Sequence, residues 1–184
     1  MSFIPTSLKA LLCLAVCALS LSVGVLAQNP ADAPATALTT LDQKFVRNAA
    51  ADGLLEVELG QLAQGRGGGG EIKRFGERMV QDHGQLNAEL QRLAAARGVP
   101  WPGNLSRDRQ ALLAQMGRLT GADFDQAYGK QAVADHQRAV ASFDQQALTG
   151  RDPELKAWAA KALPTLREHL QTARALSPNV TLGQ

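Results

Sequence analysis

Three histidines are the side chains in this sequence with the clearest capacity for chemistry, because imidazole can bind a metal or carry a proton. Each one follows an acidic residue, in the pairs Asp82-His83, Asp135-His136 and Glu168-His169. Each also belongs to an apolar pattern with helical spacing, as His83 does four residues after Met79 and seven before Leu90. Successive side chains on a helix point about 100° apart. When a histidine faces the core, its acidic neighbour therefore lies near the edge of the buried face of the helix.

An earlier acidic segment could supply a carboxylate to the same place. Asp52 and Glu56 lie four residues apart and interrupt an apolar helical pattern, and Glu58 lies near the border of that pattern. A helical bundle could thus gather one carboxylate, from Glu56, and the three imidazoles, with one group on each helix. Neutral imidazole and carboxylate ligands suit iron, manganese, copper or zinc. The sequence therefore predicts a candidate transition-metal site.

A buried polar network without metal is the alternative interpretation of these residues. A core histidine is commonly a hydrogen-bonded structural residue, and the register between helices is open at this point. The Glu-x-x-His motif of di-iron bundles is missing, because Val80, Val133 and Leu166 stand three residues before the histidines. Serine-histidine catalysis has no support either, since the sequence has no Gly-x-Ser-x-Gly segment. The residues therefore favour a binding protein over an enzyme, and the question of activity stays open.

Four long helices must position these side chains. The apolar patterns predict them over residues 40–64, 71–97, 122–148 and 153–176, with a short helix over 107–119. Glycines 65 and 67–70 end the first helix, and the Pro- and Gly-rich stretch 98–103 ends the second. Thr40 or Asp42 could cap the first helix, Ser106 the short one, and Asp152 the last. We expect residues 40–176 to form one all-α domain.

The connections between these helices predict how they are arranged. Short turns make an antiparallel hairpin of helices one and two and another of the last two long helices. The segment 98–121 between the hairpins can extend to about 50 Å, and each long helix spans about 37 Å. It can therefore return along the whole bundle. This favours a ferritin-like four-helix bundle with a long crossover carrying a short helix, although a plain up-down bundle with a decorated loop is also compatible.

The N-terminal segment 1–27 has the pattern of a secretory signal peptide. Lys9 precedes an uncharged apolar run from Ala10 to Leu26, and cleavage after Ala27 fits the small residue there. The alternative, an uncleaved membrane anchor, would need a longer apolar run, since a span takes about 20 residues. We therefore expect a periplasmic or secreted protein, with a flexible linker over 28–39 and a polar tail over 177–184. Cleavage would remove both cysteines and so exclude thiolate chemistry and disulfides.

The charge balance excludes some partners and identifies none. The formal net charge is only +2, and no dense stripe of Lys and Arg appears. Nucleic acid is therefore not expected as a partner, because such binding rests largely on clustered positive charge. After signal cleavage we expect no strong association with a membrane. Self-association is compatible with the sequence, and no protein partner is indicated.

Several stretches resemble the bacterial exported proteins grouped as domain of unknown function 4142, which are similar to ferritin-like bundles. The resemblance covers about residues 40–176 and rests on Phe45-Val46, Ala49-Ala50, Glu56-Val-Glu-Leu-Gly60, Phe75, Met79-Val-Gln-Asp-His83, Asn87-Ala-Glu-Leu90, Phe124-Asp125, Tyr128, Ala134-Asp-His136, Leu163-Pro-Thr-Leu166 and His169-Leu170.

The resemblance implies an exported, ferritin-like bacterial protein and no particular activity. Its motif indicates Glu56, Glu58, His83, His136 and His169 as site residues. The chain departs from the family at glycines 67–70, where relatives tend to have a short polar turn, and we expect this to loosen the first hairpin. Three hypotheses follow: an envelope or stress protein that binds a metal or partner without turnover, a metal-dependent oxidoreductase or metal-storage protein, and a passive interaction module with structural histidines.

Overall fold

The computed structural model describes residues 37–177 of the chain. The predicted signal peptide, most of the predicted linker and most of the predicted tail lie outside these residues. Within them, no helix is long and apolar enough to cross a membrane.

The described part of the chain is helical, as predicted. It contains five helices: α1 Thr40–Arg66, α2 Gly70–Ala96, α3 Arg107–Met116, α4 Gly121–Thr149 and α5 Pro153–Leu176. In these residues the β structure is an isolated bridge between Gly67 and Gly121. Each long helix begins and ends close to its predicted bounds, because capping residues and glycines mark the ends.

The bundle has one long crossover connection. The start of α1 packs on the end of α4, where the rings of Phe45 and Phe143 lie 5.1 Å apart, and the end of α1 meets the start of α4 at Gly67 and Gly121. These two helices are therefore antiparallel. Helix α2 begins where α1 ends, so it runs in the same direction as α4. The link that contains α3 must consequently return along the bundle, which confirms the ferritin-like fold class.

Side-chain caps explain where the helices start. Ser106 caps α3 and Asp152 caps α5, as predicted, and Pro153 occupies the first turn of α5. For α1, the cap is Thr39, whose hydroxyl accepts from the Asp42 backbone N–H, rather than Thr40 or Asp42. The Asp42 carboxylate is buried and accepts from Gln146 Nε2 at 2.8 Å. It therefore connects the start of α1 to the end of α4.

The glycine run forms an anchored turn between α1 and α2. The backbone N–H groups of Gly68 and Gly69 donate to the two carboxylate oxygens of Asp125 on α4, at 2.9 and 3.0 Å. A Cβ on Gly68 would lie 2.9 Å from the Gly121 Cα, so this close approach requires glycine. The expectation that the glycines loosen the hairpin is not met, because α4 binds the turn.

A polar layer divides the core into two apolar clusters. One cluster contains Phe45, Phe143 and Trp158, and the other contains Phe75 and Tyr128. On three of the long helices, a buried histidine lies between the positions that belong to the two clusters: His83 on α2, His136 on α4 and His169 on α5. On α1 the buried Glu56 directly follows Leu55, the first residue of the second cluster. The four residues therefore occupy the same level of the bundle.

Candidate functional site

The three predicted histidines meet in the centre of the bundle. The exposed fractions are 6% for His83, 1% for His136 and 0% for His169. Their ring centroids lie 5.3–5.5 Å apart, and one nitrogen from each ring lies within 4.8 Å of the other two. The sequence placed these residues on three helices, and the crossover topology brings them into register.

The partner of each ring nitrogen decides which nitrogens are free. His136 Nδ1 lies 2.9 Å from the carbonyl oxygen of Ala132, so Nδ1 donates and Nε2 carries the lone pair. His169 Nε2 lies 2.8 Å from Asp82 Oδ2, so this nitrogen donates to the carboxylate. The buried Nδ1 of His169 then carries a lone pair and has no hydrogen-bond partner.

Asp82 is oriented by a chain of charged groups that leads to the surface. Arg78 Nε donates to Asp82 Oδ2 at 3.2 Å, and Arg78 Nη1 donates to Glu168 at 2.8 Å. Histidines that bind metals commonly donate their other N–H to a carboxylate or a backbone carbonyl, which fixes the ring and its tautomer. His169 and His136 each have one of these two kinds of partner.

The three rings are neutral near pH 7. Burial lowers the pKa of His83 well below its usual range, and the adjacent His136 and His169 lower it further. Burial and His169 lower the pKa of His136 to about 4. The pKa of His169 is lowered by burial, which outweighs the opposite effect of Asp82. Neutral imidazoles are the form that binds metals, so the cluster requires no deprotonation to act as a ligand set.

Glu56 is the acidic residue at this level of the bundle. It is 4% exposed, and its Oε2 atom is buried without a hydrogen-bond partner. Burial raises the pKa of Glu56 well above its usual range, and the charge of Asp135 and a hydrogen bond to it add to this effect. Gln131 Nε2 donates to both Asp135 oxygens, at 2.9 and 2.8 Å. The raised pKa favours the protonated form of Glu56, which can donate a hydrogen bond to Asp135.

A cavity of about 230 Å³ adjoins the histidine cluster. Glu56, His83 and His136 line it, and His169 does not. The exposed residues Asp52 and Arg138 also line it, so the cavity reaches the surface of the bundle. A small molecule could therefore contact two of the three histidines from this side.

The five residues predicted as a site do not all meet. Glu56 lines the same cavity as two histidines but does not belong to the group of three whose nitrogens lie within 4.8 Å. Glu58 is exposed on α1 and lines none of the cavities found in the described residues. The two glutamates are two positions apart, so their side chains point about 200° apart on the helix.

Sequence reasoning missed the roles of Asp82 and Asp135. Both had been noted only as the acids that precede His83 and His136 at the edge of the core. Asp82 instead contacts His169 on another helix, and Asp135 contacts Glu56 on another helix. The repeated acid-histidine pair was the available signal. This signal identifies the partners of the two acids only when the helix packing is known, because α2 packs against α5 and α4 packs against α1.

Without metal, acidification should destabilise the bundle through His136. An unfolded histidine has a pKa of about 6.5, and in the folded protein the pKa of His136 is about 4. The unfolded state therefore binds the proton first, so stability is complete above pH 6.5 and declines as the pH falls towards 4. The expected loss is about 3 kcal/mol, since each pKa unit corresponds to about 1.4 kcal/mol.

Urea unfolding in a chelator between pH 4 and 8 measures this loss. His136→Leu serves as the reference, because every other group, including Glu56 with its raised pKa, titrates in both proteins. The unfolding free energy of the unmodified chain should fall more steeply than that of the variant. Parallel pH profiles would contradict the prediction.

Comparison with known proteins agrees with this architecture. The crystal structure of a DUF305 fragment from Deinococcus radiodurans is similar, with a TM-score of 0.67 and 16% identity over 76% of this chain and 97% of that chain. This likeness supports the fold alone. No curated protein matches the chain. The family model described as "Domain of unknown function (DUF4142)" matches residues 27–176, which include all five helices. The chain therefore belongs to the DUF4142 family.

Proposed function

We propose that this protein binds one divalent transition-metal ion through His83, His136 and His169, and that it does so without turnover. The observation that carries the proposal is the convergence of three buried, neutral imidazoles from three helices. Two nitrogens that each lie about 2.0 Å from a tetrahedral ion are about 3.3 Å apart. His83 Nε2 and His136 Nε2 lie 3.3 Å apart. Without metal this contact is a hydrogen bond, in which His83 Nε2 donates to the lone pair of His136 Nε2. The same separation suits a shared ion, which would replace this hydrogen bond.

The donor set favours zinc or copper among the four metals considered. Three imidazole nitrogens suit zinc, copper, iron and nickel, whereas manganese prefers oxygen ligands. The carboxyl group of Glu56 lines the cavity beside the cluster but lies outside the group of three nitrogens. Manganese is therefore the least favoured of iron, manganese, copper and zinc.

Nearby carboxylates can compensate the charge of a divalent ion. Neutral histidines contribute no charge, so an isolated ion in this interior would carry a large desolvation cost. Asp82 places a negative charge next to His169, at a distance of 2.8 Å. Glu56 can contribute a second negative charge by releasing its proton when the ion enters. The two groups would together balance the charge of the ion.

Metal analysis of the purified chain tests the proposal. After dialysis against zinc or copper and removal of the excess, we expect about one equivalent of metal per chain. His83→Ala, His136→Ala and His169→Ala should each reduce this value to less than about 0.2 equivalent. Glu58→Gln is the matched control, because Glu58 is exposed, and it should retain the full amount.

Circular dichroism of each variant separates lost binding from lost folding. Folded histidine variants without metal support the site. If the unmodified chain is folded and takes up no metal from either salt, the proposal is wrong and the three histidines form a structural network. If a variant fails to fold, the more conservative His→Gln change at the same position replaces it.

We also propose that the chain acts after export, in the periplasm or outside the cell. The support is the apolar run that follows Lys9 and the small residue at Ala27. The mass of the protein recovered from a bacterial periplasmic fraction tests this. A chain that begins at Gln28 is expected, and an intact chain in the cytoplasmic fraction would contradict export.

A further inference from the structure

The cavity beside the cluster reaches the proposed ion from one side. It is lined by His83 and His136, whereas His169 lies on the far side with its Nε2 bonded to Asp82. Three protein ligands leave a fourth position of a tetrahedral ion open, as in catalytic zinc sites. No side chain in the described residues completes the group of three nitrogens. The open position therefore faces the cavity.

Two buried polar atoms of residues that line this cavity lack partners. Glu56 Oε2 has no hydrogen-bond partner, and it becomes an acceptor when the carboxyl group releases its proton as the ion enters. Trp158 Nε1 is a donor, and Trp158 lines the same cavity as Glu56. A buried polar atom without a partner costs about 1–3 kcal/mol. A ligand in the cavity that donates a hydrogen bond to Glu56 Oε2 would remove this cost for that atom.

The walls of the cavity limit the size of such a ligand. A volume of about 230 Å³ corresponds to about seven or eight water molecules, and Ala49, Gly53 and Ala139 are the small residues that leave it open. A Cβ on Gly53 would clash with Asn87 Oδ1, so Asn87 packs directly over this glycine. Phe143 and Trp158 form part of the wall on the other side. A molecule much larger than benzene would have to displace these rings.

We infer that the ion presents an open coordination position to this cavity and takes there a small protic oxygen ligand, such as water, hydroxide or hydrogen peroxide. Glu56 is the positioning residue, because its free Oε2 can accept a hydrogen bond from the bound ligand. The inference rests on the proposed metal site and adds to it an exchangeable ligand and a route from solvent. No redox or hydrolytic step is assigned to it.

Cobalt substitution provides the test, since the visible absorption of Co²⁺ reports its coordination. The mature chain is loaded with Co²⁺, the stoichiometry is measured, and azide is added as a small anionic probe of the open position. We expect a saturable spectral change with one equivalent of cobalt bound. Ala139→Leu, which fills the cavity, should retain the cobalt and bind azide at least about tenfold more weakly.

Ala114→Leu is the matched control for this substitution. Ala114 is exposed on α3 and does not line the cavity, so its azide affinity should equal that of the unmodified chain. Bound cobalt whose spectrum does not respond to azide would overturn the inference and leave the metal site intact. Equal azide affinity in Ala139→Leu would overturn the assignment of the cavity as the route. A chain that takes up no cobalt would overturn both the metal site and the inference.

Glu56→Gln tests the positioning role separately. Glutamine can donate its amide N–H to a metal-bound hydroxide, whereas the carboxyl Oε2 accepts from metal-bound water. The pH midpoint of the cobalt spectrum should therefore fall by at least about half a unit in Glu56→Gln. Glu58→Gln should leave the midpoint unchanged. An unchanged midpoint in Glu56→Gln with cobalt still bound would contradict the role of Glu56.

Discussion

Replacing Arg97 by methionine should lower the free energy of unfolding by about 3–5 kcal/mol, which is the cost of leaving a buried ionic partner unpaired. Arg97 ends α2 and its side chain is 3% exposed. Its Nε and Nη2 atoms donate to the two oxygens of Asp152, at 2.7 and 3.0 Å. Asp152 is 8% exposed and also caps α5, accepting from the Leu155 N–H at 2.8 Å. One ion pair therefore connects the two hairpins at this end of the bundle.

Urea unfolding of Arg97→Met at pH 7 measures this effect. Arg92→Met is the control on the same helix, because Arg92 is exposed and its Nε donates to the carbonyl of Ala88 four residues earlier. The control should change the unfolding free energy by less than about 0.5 kcal/mol. A loss in Arg97→Met no larger than that of the control would show that water replaces the lost partner at no cost.

A double variant separates the unpaired charge from the lost packing. Asp152→Ser retains a side chain that can cap α5 and removes the carboxylate. In the Arg97→Met, Asp152→Ser double variant no buried charge is left unpaired, since the other partner of Arg97, Glu154, is exposed. Part of the stability should therefore return relative to Arg97→Met alone. If the losses of the two single variants sum to the loss of the double variant, Arg97 and Asp152 contribute to stability independently of each other.

Helix identity and connectivity could be predicted from the sequence because both depend on local signals. Apolar spacing defines the helices, and Ser106, Asp152 and the glycine run define their ends. The length of the segment between α2 and α4 was sufficient for a crossover. Its actual path depends on packing across the bundle, such as Phe45 against Phe143.

In the first turn of α1, the apolar pattern of the sequence gives a wrong prediction of which side chain faces the core. Leu41 precedes Phe45 by four residues, and this helical spacing predicts that Leu41 faces inward, but its exposed fraction is 77%. The first turn is fixed by Asp42, which is 1% exposed and binds Gln146 and the Arg151 N–H. Because successive residues point about 100° apart, an inward Asp42 turns Leu41 away from the core.

The composition of the site was visible in the sequence, but its geometry was not. Spacing within one helix shows that a histidine faces the core, but it carries no information about the level of that histidine relative to another helix. The convergence of the histidines depends on the register between α2, α4 and α5. The same holds for Asp82 and His169, which are 87 positions apart in the sequence. For Glu56 and Glu58, in contrast, helix geometry alone predicts that the two side chains point in different directions, because the residues are two positions apart.

The proposed ion should stabilise the folded chain by about 4 kcal/mol when zinc is present at a thousand times its dissociation constant. The three nitrogens come from three different helices, so the ion connects both hairpins and cannot bind the same way in the unfolded chain. For a domain of this size, we expect the melting temperature to rise by about 10 °C. Thermal unfolding with zinc and with a chelator measures the difference.

Asp82→Ala should reduce this metal-dependent increase without removing the three ligands. Loss of the carboxylate behind a ligand histidine typically weakens metal binding about 10- to 100-fold, because the ring is no longer oriented. The increase should therefore fall by about 1–3 kcal/mol at a fixed zinc concentration. Glu168→Gln is the control, since Glu168 contacts Arg78 at the surface and is not bonded to the His169 ring in the described residues.

Comparing the zinc-dependent increment, rather than the stability itself, removes any effect that Asp82→Ala has on the metal-free fold. Arg78 loses one partner in this variant and keeps Glu168, so some loss of stability without metal is expected. The increments of Asp82→Ala and of the unmodified chain should differ, whereas that of Glu168→Gln should match the unmodified chain. Equal increments in all three proteins would mean that His169 is oriented by packing alone, against Phe75 at a centroid distance of 6.2 Å, and that Asp82 serves only the ion pair with Arg78.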